Sequence, residues 1–206
     1  MQNFVTIVSG LPRSGTSMMM QMLKKGGQDL LTDGIRTADE DNPRGYHEFE
    51  RLKKIDQDVS WLSDANGRAV KMVSTLVRNL PDGHRYKIIF MRRDLKELIR
   101  SQEKMLKRLK TQGAEIGADK MERLYTRHLQ EVYRWLRSKP DSDVLYMDFA
   151  KVIESPLEEA RRVVEFLGQT SSAEAAEAMA QAMAEAVDRS LYRNKVSEIS
   201  GTKVGI

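Results

Sequence analysis

What constrains this chain most is the junction at its start, where an apolar, β-branched run from Phe4 to Val8 ends at Ser9-Gly10 and continues as Leu11-Pro12-Arg13-Ser14-Gly15-Thr16-Ser17. The run predicts a buried strand. Residues Gly15 to about Lys25, with Met18, Met19, Met22 and Leu23 on one side and Gly26-Gly27 after them, predict a helix. A strand, a glycine-bounded loop and a helix in direct succession turn backbone amides at a helix start toward one anion. Glycine is expected at 10 and 15 because a side chain there would block that anion. The competing reading is a tight turn with no ligand; the flanking strand and helix weigh against it.

A second junction of the same kind lies further on. Tyr86 to Met91 is too apolar to have a face in water, which predicts a central strand of a parallel sheet. Asp94 to Lys110 then carries Leu95, Leu98, Ile99, Met105, Leu106 and Leu109 at helical spacings. Strands are also predicted at Ala69 to Val73 and Asp143 to Met147. Helices are predicted at Glu48 to Val59, Asp119 to Arg137, Leu157 to Leu167 after Ser155-Pro156, and Ala173 to Val187. Asp33 to Gly45, rich in Asp, Gly, Asn and Pro, reads as an irregular loop. The alternation implies an α/β chain: a three-layer P-loop-type fold with a central, mostly parallel sheet flanked by helices. Residues 1–206 are expected to form one domain, with 170–206 as a helical C-terminal extension. Ligands of such sheets bind at the carboxyl ends of the strands.

Composition narrows the chemistry. A net charge of +4 suits an anionic ligand but is too small a bias to indicate nucleic acid. The absence of cysteine excludes disulfides, thiolate catalysis and cysteine-held metal, and three scattered histidines do not make a zinc site. No run approaches the roughly 18 apolar residues of a membrane span, so no membrane is expected and the expected location is the cytoplasm.

In an ATP or GTP loop a lysine follows the second glycine and reaches the outer phosphates; here Thr16 stands in that place. A nucleotide-dependent phosphotransferase is therefore the weaker alternative, and a non-catalytic nucleotide-binding scaffold is another. For the latter, the methionine faces at 18–22 and 179–183 would serve partner contacts if they are not core. The spacing G-x-G-x-x-G is absent, which leaves a nicotinamide or flavin without support.

The stretch VSGLPRSGTSMMMQML resembles the 5′-phosphosulfate loop of sulfotransferases that use 3′-phosphoadenosine 5′-phosphosulfate (PAPS), and IIFMRRDLKELIRS resembles the 3′-phosphate motif of the same family. The resemblance implies donor contacts from Pro12, Arg13, Ser14, Gly15, Thr16 and Ser17 at one phosphate and from Arg93 and Ser101 at the other. Arg13 would face the bridging oxygen. The spacing of eight residues between Arg93 and Ser101 is just over two helical turns, which lets both face one point. The remaining basic residues of that helix, among them Lys96, Arg100, Lys104 and Lys107, read as a solvated face.

NPRGYHEFE at 42–50 and KMVSTLVRNLP at 71–81 resemble acceptor-side regions, and 144–168 resembles a late strand and helix of the family. The family's RKGxxG segment is not intact, and Arg189, Arg193 and Lys195 are the candidate substitutes, Arg193 foremost. Glu48 is the first candidate for the catalytic base, with His47 beside it and Glu50 behind; His128, on an apolar stripe, reads as a core histidine. The acceptor implied is a small molecule or glycan bearing a hydroxyl or amine, without a metal, and a homo-oligomer stays open.

Overall fold

The computed structural model describes residues 4–35, 45–108 and 117–191. Strand β1 (Val5–Gly10) leads into helix α1 (Thr16–Lys25). A 3-10 turn (Glu50–Lys54) and the short α2 (Leu62–Ala65) precede β2 (Ala69–Val73). Strand β3 (Tyr86–Arg92) is followed by α3 (Leu95–Arg108) and α4 (Ala118–Ser138). Strand β4 (Ser142–Asp148), α5 (Phe149–Glu154), α6 (Pro156–Leu167) and α7 (Ala173–Glu185) complete the order.

The four strands form one parallel sheet in the order β2-β1-β3-β4, so the strand expected to be central is central. Each strand alternates between two apolar layers. Ile7, Val70, Met72, Ile88 and Phe90 face a cluster that includes Trp61, Val132 and Leu136. Val8, Ala69, Ile89 and Met91 face another, formed with Met19, Met20, Met22, Val163 and Met183. Burying apolar side chains on both faces leaves no wet side to the sheet, which is why the strands read as continuous apolar runs. The methionines at 19, 20, 22 and 183 are wholly buried, so they are core rather than a partner surface. Helix α7 belongs to this core. A Cβ at Gly26 would come within 2.7 Å of Met183 Cγ, so the end of α1 and α7 touch through a glycine.

Two local expectations fail. No α-helix spans 48–59; the segment makes one 3-10 turn, and Phe49 and Trp61 meet edge to face at 6.2 Å. The apolar residues Leu52, Ile55 and Trp61 are buried without helical periodicity, so tertiary packing overrides local propensity there. Helix α5 was not foreseen because six residues show too little of a period to be recognised.

The sheet also fixes the site. From β1 the chain crosses to β2 on one side, while β3 lies on the other, so the strand order reverses between β1 and β3. Their carboxyl ends are level, with Gly10 paired to Met91 and to Val73. That reversal is where a ligand crevice opens in a sheet of this kind.

Candidate functional site

Residues 10–15 leave β1, cross the crevice and enter α1. Gly10 has φ 153° and Gly15 φ 101°. A Cβ at Gly10 would lie 2.4 Å from Ser14 Oγ and 2.7 Å from the Met91 carbonyl, and one at Gly15 would lie 2.6 Å from the Phe149 ring. The protein's own packing thus demands glycine at both positions, a reason that the sequence did not reveal. Arg13 is left-handed at φ 71°, a conformation costing a non-glycine residue about 1 kcal/mol and concentrated at functional sites.

A cavity of about 230 Å³ opens beside the loop. Pro12, Arg13, Gly15, Thr16 and Ser17 line it, as expected. Ser14 does not: its hydroxyl is buried beneath the loop without a hydrogen-bond partner, and its amide donates to the Leu11 carbonyl at 3.1 Å.

One flank of the cavity carries Arg93, Met105, Phe149, Ile153 and Asp188. Arg93 Nη1 donates to the Arg13 carbonyl at 3.1 Å, and Arg13 Nε donates to Ser101 Oγ at 3.2 Å. Arg93 also pairs with Glu97 at 3.4 Å and stacks 4.3 Å above the centre of the Phe149 ring. The two sequence-predicted anion sites therefore share one cavity wall, with both guanidinium groups oriented by buried partners. Glu97 neutralises part of that charge and fixes where Arg93 points.

The other flank carries Gln21, Tyr46, Glu48, Lys71 and Val73. Lys71 was not foreseen. It sits midway along β2, where the strand's alternation turns it toward α1, and only 7% of its side chain is exposed. Its ammonium donates to the Tyr46 carbonyl, to Ser17 Oγ at 3.3 Å and to Glu48 Oε1 at 3.5 Å. The signal was present: a lysine inside an otherwise buried strand must find anionic or polar partners. Phe149 and Gln21 carried no such signal.

His47 lies beside Glu48 but on no helix; it is left-handed at φ 50°, and Gln21 Nε2 donates to its Nε2 at 2.8 Å. Burial first, then the ammonium groups of Lys24 and Lys71, hold His47 below its ordinary value. Glu50 pairs with Lys53 at 2.6 Å and does not line the cavity. His128 is half-buried rather than sealed in the core, and its Nε2 meets Ser74 Oγ at 2.9 Å. Arg189 donates to the Glu154 carbonyl at 3.2 Å and is absent from the cavity wall, whereas its neighbour Asp188 is present there. Arg193 and Lys195 lie outside the described residues, as do residues 36–44.

Among the described residues no helix is long and apolar enough to cross a membrane. The arrangement as a whole is a concave cavity with paired guanidinium groups on one flank and a carboxylate-ammonium pair on the other.

A sulfotransferase domain model matches residues 5–205. Mouse sulfotransferase SULT7A1, solved with PAP, superposes with TM-score 0.54 at 13% identity, over 95% of this chain and 76% of its own. Sulfotransferase STF9 from Mycobacterium avium gives 0.53 at 15%, over 89% and 68%. The sulfotransferase domain from the curacin biosynthetic pathway gives 0.54 at 12%, over 92% and 89%. At these identities the likeness is one of fold. No curated protein matches the chain in sequence.

Proposed function

This chain belongs to the sulfotransferase domain family, and we propose on that premise that it transfers a sulfuryl group from PAPS to a hydroxyl or amine of a small-molecule or glycan acceptor. One observation carries the reading: Arg93, Ser101 and the loop at 10–17, predicted from two separate motifs, converge through the Arg93–Arg13 and Arg13–Ser101 hydrogen bonds of 3.1 and 3.2 Å. A donor with phosphates at both its 5′ and 3′ ends fits that pairing.

The loop amides, Thr16 and Ser17 hold the 5′-phosphate, and Arg93 with Ser101 holds the 3′-phosphate. Glu48 takes the proton as the acceptor oxygen or nitrogen attacks sulfur in line and the bond from sulfur to the 5′-phosphate oxygen breaks. Arg13 and the loop amides stabilise the charge that grows on that leaving oxygen. Lys71 ties the base to the loop, since one ammonium reaches both Glu48 and Ser17. Transfer of this kind asks for no metal. A cytoplasmic setting belongs to the same proposal, supported by a chain without cysteine, and so does the action of residues 1–206 as one domain.

Calorimetric titration with 3′-phosphoadenosine 5′-phosphate (PAP), AMP and magnesium-ATP tests it. PAP is expected to bind at least tenfold more tightly than either, and Arg93→Ala is expected to remove most of that preference. Equal affinity for AMP would overturn the 3′-phosphate subsite.

A further inference from the structure

Segment 46–48 has no regular structure, yet it carries the carboxylate to which the reading above assigns the proton, so something other than a helix or strand must fix that carboxylate. The attachment is visible on α1. Ser17 and Gln21, one turn apart on the same face of α1, each meet the segment: Ser17 Oγ donates to the Tyr46 carbonyl at 3.5 Å, and Gln21 Nε2 donates to His47 Nε2 at 2.8 Å. Lys71 holds the same segment from the strand side through the Tyr46 carbonyl and Glu48 Oε1.

Between those anchors His47 is left-handed, at φ 50°. Left-handed backbone at a residue with a Cβ persists only where its surroundings over-determine it, and it turns the chain so that the Tyr46 carbonyl and the Glu48 side chain both meet Lys71. The ring of His47 ties the bend itself to α1, beside the contact of Ser17 with the Tyr46 carbonyl.

We propose that Gln21 and His47 are positioning residues: their hydrogen bond sets where the Glu48 carboxylate stands relative to the phosphate loop, and they act on catalysis only through Glu48. The proposal rests on the assignment of Glu48 as base. Its geometry requires a ring nitrogen that accepts, hence a neutral His47 with its proton on Nδ1. The surroundings favour that form: Lys24 on α1 and Lys71 on β2 both face the ring and oppose a second positive charge, while Glu48 is the adjoining acidic group.

The test uses Gln21→Ala, which keeps a good helix former in α1, and His47→Gly, which keeps the left-handed turn without the ring. NMR cross-peaks between the Glu48 γ-methylene and Lys71 ε-methylene protons report the position of the carboxylate. Both variants are expected to weaken them at least threefold, with PAP affinity by calorimetry within twofold of the parent. With 4-nitrophenol as acceptor probe, Gln21→Ala is expected to lower kcat about tenfold at unchanged donor KM, and to cost nothing further in a Glu48→Gln background. Full cross-peaks in either variant, a tenfold loss of PAP affinity, or an undiminished effect of Gln21→Ala in the Glu48→Gln background would each overturn the proposal. The base assignment is read separately, by turnover of Glu48→Gln alone.

Discussion

On the flank of the cavity that holds Arg93, with Ser101 buried behind it against Arg13, the side chains come from the end of β3 and from α3 at fixed steps along regular elements, whereas Tyr46 and Glu48 reach the opposite flank from an irregular segment held by Lys71 and, through His47, by Gln21. Phosphate recognition needs several donors at set distances, and strand ends followed by helix starts supply them through backbone geometry. Proton transfer needs a single carboxylate at a set place, and here tertiary hydrogen bonds supply that. The difference implies that damage to the first flank disturbs the donor and its leaving group, while damage to the second disturbs the proton without loosening the donor.

The largest effect sharpens that division. Arg13→Ala is expected to lower kcat roughly 100- to 1000-fold, the usual cost of deleting one electrostatic contact to a developing charge. PAP affinity should fall far less, because Arg93 and the loop amides remain. Steady-state kinetics beside calorimetry checks both. If Arg13→Ala costs less than a lesion at Lys71, the leaving-group charge is stabilised from the other flank, and the comparison fails.

The lesion at Lys71 comes next in size. Lys71→Met keeps the apolar stem within β2 and removes the ammonium that joins Ser17, Tyr46 and Glu48. Removing one partner of a buried polar cluster leaves the others under-satisfied, so kcat should fall roughly 10-fold or more. PAP binding should stay within about threefold. A loss of PAP affinity as great as the loss of kcat would place Lys71 with the donor flank.

The same contrast explains how much could be read in advance. The sheet, its central strand and the glycine-bounded loop follow from periodicity and spacing, because the residues concerned sit at fixed steps along regular elements, whereas Arg93 and Ser101 are singled out by the resemblance of their segment to a family motif. Spacing does not reveal a contact between elements. Lys71 meets Glu48 across 23 positions and Gln21 meets His47 across 26, with the outcome set by a left-handed residue that no local preference for histidine predicts. Ser14 was misjudged for a related reason: the motif gives its place in the loop but not that its hydroxyl turns inward. Helix α5, which brings Phe149 under Arg93, was too short to show a period.

The smallest expected effect concerns stability, and it separates the flanks by pH. Burial, with Lys24 and Lys71, lowers the pKa of His47; burial, with Arg78 opposing Glu131, lowers that of His128. The unfolded chain therefore binds more protons than the folded one wherever the pH lies between the folded values and the ordinary 6.5. Stability should fall as the pH drops through that interval, with a slope bounded by one proton per histidine, about 1.4 kcal/mol per pH unit each. Denaturant unfolding from pH 7.5 down to pH 5 measures it. His47→Asn should flatten the slope and so should His128→Asn, but only the change at 47 should also alter the Glu48–Lys71 contact, because His128 meets Ser74 and does not line the cavity. A slope unchanged in both variants would mean that neither ring resists protonation, and the neutral His47 that accepts from Gln21 would lose its physical basis.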